Sequence, residues 1–402
     1  MKLIVIFLLL LSTSSAQTET FDALLKSGKA EFTKDFDQQD FSRAVEYLER
    51  AVELMPEHTE ALYYLGYAYS RLNSKDARGT IDMRLDLVLA SSAQFEKINA
   101  LTPKYTGEII ALDPYSKITA EWGSMAMCYA YHNNPDSALW AFREGKKRGG
   151  FGDFILEANR KVLGACSKEA ILITSGDNFT MPLWYLQQVE GLRKDVAVVN
   201  VDMLSTLWYP AFLTRQQIVA FDASDEELES WEYTEWTDSL ATIEDFTWTV
   251  EPGYYQHFLM RGEMVFMSLL KANKFQRDLF FTTGFYELNR LGLGDYLSSR
   301  VHVDFLNHTA APGLSHSAYM TMFKDLLQME ALLNRNSSSE MMLYDNFRFT
   351  LLRQVAENIS DKDTKTAKEL MALLDTYGNE ALVPYSVESY RGYRNKLRSK
   401  LK

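Results

Sequence analysis

The sequence predicts a helical repeat at the amino end, a central parallel α/β domain and a C-terminal helical region. Three observations carry this reading. Large, small and aromatic residues recur at helix-turn-helix spacing over 17–160. From Ala170 the period changes to short, continuously apolar runs separated by helix-length segments. Beyond Pro312 the helical period returns. With 402 residues, 47% hydrophobic and 13% aromatic, the chain has apolar surface for two or more cores at ~100–200 residues each. The net charge of −12 opposes a nucleic-acid role, which needs a basic face. Two cysteines are too few for a disulfide scaffold or a Cys-rich zinc site.

Residues 1–16 read as a signal peptide. Lys2 precedes an apolar run from Leu3 to Leu11, and Ser14-Ser15-Ala16 forms a small-residue cleavage site, so Gln17 is the expected mature start. The alternative is an uncleaved anchor, although the run is shorter than the roughly 20 apolar residues of a spanning helix. No Cys follows the cleavage site, which closes the bacterial lipoprotein route, and no later stretch is apolar enough to cross a bilayer. The expectation is an extracytoplasmic protein, periplasmic or secreted, and not an integral membrane protein. In that compartment Cys128 and Cys166 either pair or remain small buried hydrophobes.

The repeat is clearest between Thr119 and Gly150. Trp122, Met125, Ala126 and Tyr129 occupy one helix, Ala138, Phe142 and Gly145 the next, with Asn133-Asn134-Pro135-Asp136 as the turn. Ala126 and Ala138 are small enough for two helix backbones to approach, while Trp122, Tyr129 and Phe142 fill the space beside them. An earlier copy has Leu62, Leu65, Gly66 and Tyr69, then a long connection before Phe95, Ile98 and Pro103. Upstream, Leu24 and Gly28 precede Ala44, Leu48 and Ala51, with extra turn residues around Lys34–Asp40. These offsets resemble the tetratricopeptide repeat, apart from Gly150 at a position usually held by proline. The resemblance implies a solenoid of three units whose concave face holds a protein or peptide partner.

Ala170–Thr174 reads as a strand, Thr180–Glu190 as a helix and Val196–Val201 as a strand, which makes a βαβ unit. Leu279–Thr282, Phe285–Leu297 and Val301–Phe305 read as a second one. Apolar strands alternating with helices imply a parallel, Rossmann-like sheet within 168–310. The run Leu172-Ile173-Thr174-Ser175-Gly176-Asp177-Asn178, followed by Pro182-Leu183-Trp184-Tyr185, Gly191, Arg193, Asp195-Val196 and Trp208-Tyr209, resembles the soluble C-terminal region of bacterial protein O-mannosyltransferase-like glycosyltransferases. Asn273, Phe275, Arg277 and Leu279-Phe280-Phe281 continue the likeness, as do Leu293 and Asp295-Tyr296. Phe179 and Asp278 depart from that pattern. The membrane helices that would hold such chemistry are absent from the sequence, so the resemblance implies an extracytoplasmic domain and carries over no catalytic residue.

Ligands of open α/β sheets bind at the carboxyl ends of strands, where Gly176, Asp177, Asn178, Asp202, Thr283 and Gly284 fall. The competing explanation is local: Asn178 or Thr180 caps a helix, Pro182 stands in its first turn and Gly176 supplies a turn. There is no GxGxxG in a strand-to-helix context, no P-loop and no Gly-x-Ser-x-Gly elbow; His302, His308 and His316 lack paired ligand spacing. No cofactor, metal or catalytic residue is expected.

Between Gln216 and Met260 eleven acids occur without one Lys or Arg, interleaved with Trp231, Trp236 and Trp248. This acidic insertion, near 216–256, is either a solvated connection or a docking surface for a basic partner or a carbohydrate. In the helical region 311–402, helices are expected over Leu314–Leu333, Met341–Asn358 and Thr366–Tyr377. It ends in a basic tail of Arg391, Arg394, Lys396, Arg398, Lys400 and Lys402, which either stays solvated, folds on the acidic insertion or touches an anionic membrane. The favoured function is an exported repeat protein acting as a protein-binding or scaffold module at the bacterial cell envelope. The rival is an enzyme or carbohydrate-binding accessory of surface glycan assembly that uses the α/β domain on a cell-envelope glycan.

Overall fold

The computed structural model describes residues 20–237, 240–283, 291–308 and 315–401. The expected export signal, Gly284, the first six residues of the helix expected over Phe285–Leu297, Leu314 and Lys402 lie outside these residues. The described remainder of that expected helix is instead a 3-10 turn, Leu293–Tyr296, that runs into a strand at Leu297. The chain is mostly helical, with a small mixed sheet and a C-terminal helical region.

Six helices open the described chain: α1 (Phe21–Phe32), α2 (Phe41–Leu54), α3 (Thr59–Asn73), α4 (Leu85–Leu101), α5 (Pro114–Tyr131) and α6 (Pro135–Lys147). Each packs on the next. Their starts follow local chemistry: Asp40, Asp113 and Asn134 accept backbone N–H groups at the heads of α2, α5 and α6, and proline takes the first position of α5 and α6. Close approach explains the small residues, since a Cβ on Gly66 would lie 2.7 Å from the Phe95 ring. Leu62, Leu65, Trp122, Ala126, Ala138 and Phe142 are buried, and Trp122 Nε1 donates to Ser92 Oγ at 2.9 Å. Tyr69 and Tyr129 are only half-buried, and Tyr69 donates its hydroxyl to Glu49.

After α7 (Asp153–Ala165) come β1 (Ile171–Thr174), α8 (Asp177–Val189), β2 (Ala197–Asn200), α9 (Trp208–Arg215) and α10 (Asp225–Ser230). The chain then forms β3 (Tyr233–Glu235), β4 (Leu240–Ile243), β5 (Phe246–Thr249), β6 (Phe258–Met260), α11 (Arg261–Asn273), β7 (Leu279–Thr282), β8 (Leu297–Ser299) and β9 (Val303–Leu306). The main sheet has the order β2-β1-β7-β9-β8. β1 is parallel to both β2 and β7, but β9 runs antiparallel to β7 and to β8. This corrects the all-parallel expectation and the second βαβ unit. The three residues between β8 and β9 include Val301 at φ 69°, so the two strands join as a hairpin, which an antiparallel pair permits and a parallel pair does not.

The acidic stretch is structured. A Ser224–Glu227 capping box starts α10, β3 pairs with β6 and β4 pairs with β5. Trp248 is 1% exposed and donates Nε1 to Leu291 O, while Trp231 and Trp236 pack against the core. The tryptophans therefore hold this region together and do not form an open carbohydrate platform.

The carboxyl end contains α12 (His316–Leu327), α13 (Ser338–Ser360), α14 (Thr364–Tyr377) and α15 (Glu388–Lys400). Ala367, Met371 and Leu374 bury the α14 face in a second apolar cluster. The basic tail settles on its own region: Arg391 pairs with Glu380, and Arg394 and Arg398 pair with Asp375. Among the described residues it makes no ion pair with the acidic stretch. Cys128 and Cys166 are buried and free, so they do not pair. His302 is buried, His308 stacks on Phe275, and His316 Nε2 lies 3.0 Å from Glu369 Oε2. Among the described residues no helix is long and apolar enough to cross a membrane.

Candidate functional site

The site begins where β1 ends. Gly176 takes φ 76°, a left-handed conformation that favours glycine, and α8 starts at once with Asp177. The helix therefore begins three residues before the expected Thr180. Asn178 and Thr180 lie inside it and cap nothing. Thr180 Oγ1 meets Thr174 Oγ1 at 2.8 Å and accepts from Asn200 Nδ2 at 2.8 Å, which ties α8 to the carboxyl ends of β1 and β2. Pro182, expected in the first turn, stands further in. Its missing N–H leaves Asn178 O without the usual intrahelical donor, and Asn159 Nδ2 of α7 supplies one at 3.1 Å.

Asp202 follows β2. Its Oδ2 accepts from Ser175 Oγ at 2.8 Å and from the Gly176 N–H at 3.2 Å, so Gly176 and Asp202 are joined. Asp177 faces the helical array. Burial pushes its carboxyl above the usual range, Lys117 opposes this, and Glu121 and Asp202 push it further up. Lys117 is itself paired with Glu121 at 2.6 Å. Thr283 follows β7, and its side chain makes no hydrogen bond to Asp177 or Asp202.

A cavity of about 380 Å³ opens beside Asp202, lined also by Ser205, Tyr254, Tyr255, Met260 and Glu263. Among the described residues its lining contains no Lys, Arg or His. Glu263 accepts from Gly253 N at 2.6 Å and Met260 N at 2.7 Å, which fixes the loop that carries both tyrosines. Burial pushes the Glu263 carboxyl up, and the two backbone N–H groups hold it down. Tyr254 and Tyr255 are 54% and 60% exposed. These tyrosines and Glu263 escaped the sequence reading because they lie far along the chain from β2. The available signal was Pro252-Gly253-Tyr254-Tyr255 within a cation-free stretch. Chemically, the pocket offers carboxylate acceptors, hydroxyls and aromatic surface, a combination suited to a polyhydroxylated ligand.

The helical array is engaged by its own chain. On α3, the Tyr63 and Tyr67 hydroxyls donate to Leu112 O at 2.8 and 3.1 Å, and Tyr105 stacks on Tyr63. On α5, Gly123 abuts Met181 of α8. Trp208 donates to Ala77 O, and Arg215 donates to Tyr131 O. The array thus turns much of α3 and α5 toward the loop 102–113 and the sheet region.

No curated protein matches the chain, and no tetratricopeptide family model matches the helices. Residues 156–246, from α7 through β1, α8 and β2 to the start of β5, match the TMEM260-associated domain 2 family, which is linked to O-mannosyltransferase-like proteins.

Proposed function

We propose that this chain is an extracytoplasmic carbohydrate-binding protein of surface glycan assembly, with a tetratricopeptide-like helical array as the scaffold of its α/β part. The observation that carries the reading is the open pocket at the carboxyl end of β2, where Asp202 sits beside the exposed Tyr254 and Tyr255. Asp202 on its wall is tied through Ser175 and Gly176 to the turn after β1, the strand from which the chain goes to β2 on one side and which β7 flanks on the other, the kind of sheet position that favours ligand binding. Its volume lies in the roughly 300–1,000 Å³ range of small-molecule sites. The match of 156–246 to a family linked to glycosyltransferase-like proteins favours the same ligand class.

A protein partner gripped in the array is the competing reading. The coverage of α3 and α5 by the chain's own residues weighs against it. Calorimetric titration with neutral oligosaccharides tests the proposal. Binding by the wild type, with about tenfold loss in Asp202→Asn and Tyr254→Ala at unchanged melting temperature, is the expected result; tenfold corresponds to ~1.4 kcal/mol. Wild-type affinity in both variants, or no binding by any of the three proteins, sinks it.

A further inference from the structure

A second cavity, about 590 Å³, lies between the α5–α6 pair and the outer edge of β2. β2 is the end strand of its sheet and pairs only with β1. Ala197 N and Val201 N donate to Ala170 O and Thr174 O. That alternation turns residues 197, 199 and 201 toward β1, and residues 196, 198 and 200 outward. The chain satisfies two of the outward positions itself. Gln187 Nε2 donates to Val196 O at 2.7 Å, and Asn200 N donates to the Tyr209 hydroxyl at 3.1 Å.

Val198 is left. It is 4% exposed, it lines the cavity, and its outward N–H and C=O have no partner among the described residues. Backbone groups turned toward a cavity are paired by water or by a ligand, so this donor and acceptor are where a ligand in the cleft would bond. The cavity rim repeats the message. Asn133, Gln188, Gln216 and Gln217 are exposed, line the cavity, and make no side-chain hydrogen bond among the described residues. Two of them, Asn133 and Gln217, stand on backbone held at φ 61° and 56°.

We propose that this cleft receives an extended polypeptide segment, which crosses the outer edge of β2 in the antiparallel sense and pairs with it at Val198, between the positions that Gln187 and Tyr209 close. One residue of the incoming segment exchanges both main-chain hydrogen bonds with Val198, as a hydrogen-bonded antiparallel pair does, and the rim amides take the neighbouring peptide groups. A single residue that presents N–H and C=O in one direction is matched by one extended residue that presents C=O and N–H back to it. The site is separate from the Asp202 pocket and does not depend on a ligand there.

The test pans the full chain against a phage-displayed library of random twelve-residue peptides and measures the selected peptides by fluorescence anisotropy. A scan of N-methylated peptides then removes one backbone donor at a time from the ligand, leaving the protein intact. The expected result is a single peptide position at which N-methylation weakens binding tenfold or more, together with a similar loss in Val198→Pro and a severalfold loss in Gln188→Ala. A methylation scan with no sensitive position overturns the proposal. So does a peptide library that yields no binder, or competition for the cleft by a neutral oligosaccharide alone. If Val198→Pro fails to fold, the methylation scan and Gln188→Ala still decide.

Discussion

Asp113 shows what one carboxylate does for two distant segments. Its Oδ1 accepts from Tyr115 N and Ser116 N at the head of α5, while its Oδ2 accepts from Ser339 N at 2.8 Å and Ser337 Oγ at 2.9 Å at the head of α13. Both helix N-termini carry partial positive charge, so a shared anion suits the junction. The adjacent Glu340 is 3% exposed, and burial pushes its carboxyl up to about 7, with the Asn334 N–H opposing and the Asp113 carboxylate adding to the rise. A carboxyl raised in the folded state stabilises the fold fully below its ordinary value near 4.5, and that stability is lost as pH rises through about 7. Glu340→Gln should therefore lose less stability than wild type between pH 5 and pH 8, by on the order of 2–3 kcal/mol. Denaturant unfolding at the two pH values checks this, and parallel pH profiles would refute it.

At the scale of elements, α8 depends on a neighbour to tolerate its own sequence. Pro182 would ordinarily break the helix, and Asn159 of α7 repairs the exposed carbonyl of Asn178. Asn159→Ala should destabilise the chain by roughly 1–3 kcal/mol by leaving that carbonyl unpaired. Urea unfolding measures it, and a change under ~0.5 kcal/mol would show that the bond is dispensable. The carboxyl-terminal helices rely on a buried pair in the same way. Arg348 bonds Asp345 at 3.1 Å and donates to Val383 O at 2.6 Å, while Asp345 Oδ2 accepts from Ser386 N and Val387 N. The pair fixes the segment leading into α15. In sequence it looks like an ordinary i,i+3 surface pair, because spacing along a helix says nothing of what packs over it.

For the whole molecule, a cooperative test follows from the two thiols. Cys128 and Cys166 are buried and unpaired, and burial pushes the Cys166 thiol up to about 12. Iodoacetamide should label neither quickly in the native chain and both once it unfolds, with no change of mass on reduction. Rapid native labelling, or a reduction-sensitive mass, would contradict the packing. Most helices were legible from apolar spacing, and β1, β2 and β7 from continuous apolar runs, because those patterns are local. The antiparallel β9 was not. A run such as Val303–Leu306 is equally apolar in either direction, so strand sense is settled by the connection before it. The site divides the same way: Gly176 and Asp202 were readable at strand ends, whereas Tyr254, Tyr255 and Glu263 reach the pocket only through the β3–β6 pairing and the loop that Glu263 clamps. Sequence alone determined where helices and apolar strands form, since periodicity and capping act over a few residues. Tertiary structure decided strand direction, the partners of buried charges and which side chains share a cavity, because those outcomes depend on which distant surfaces exclude water together.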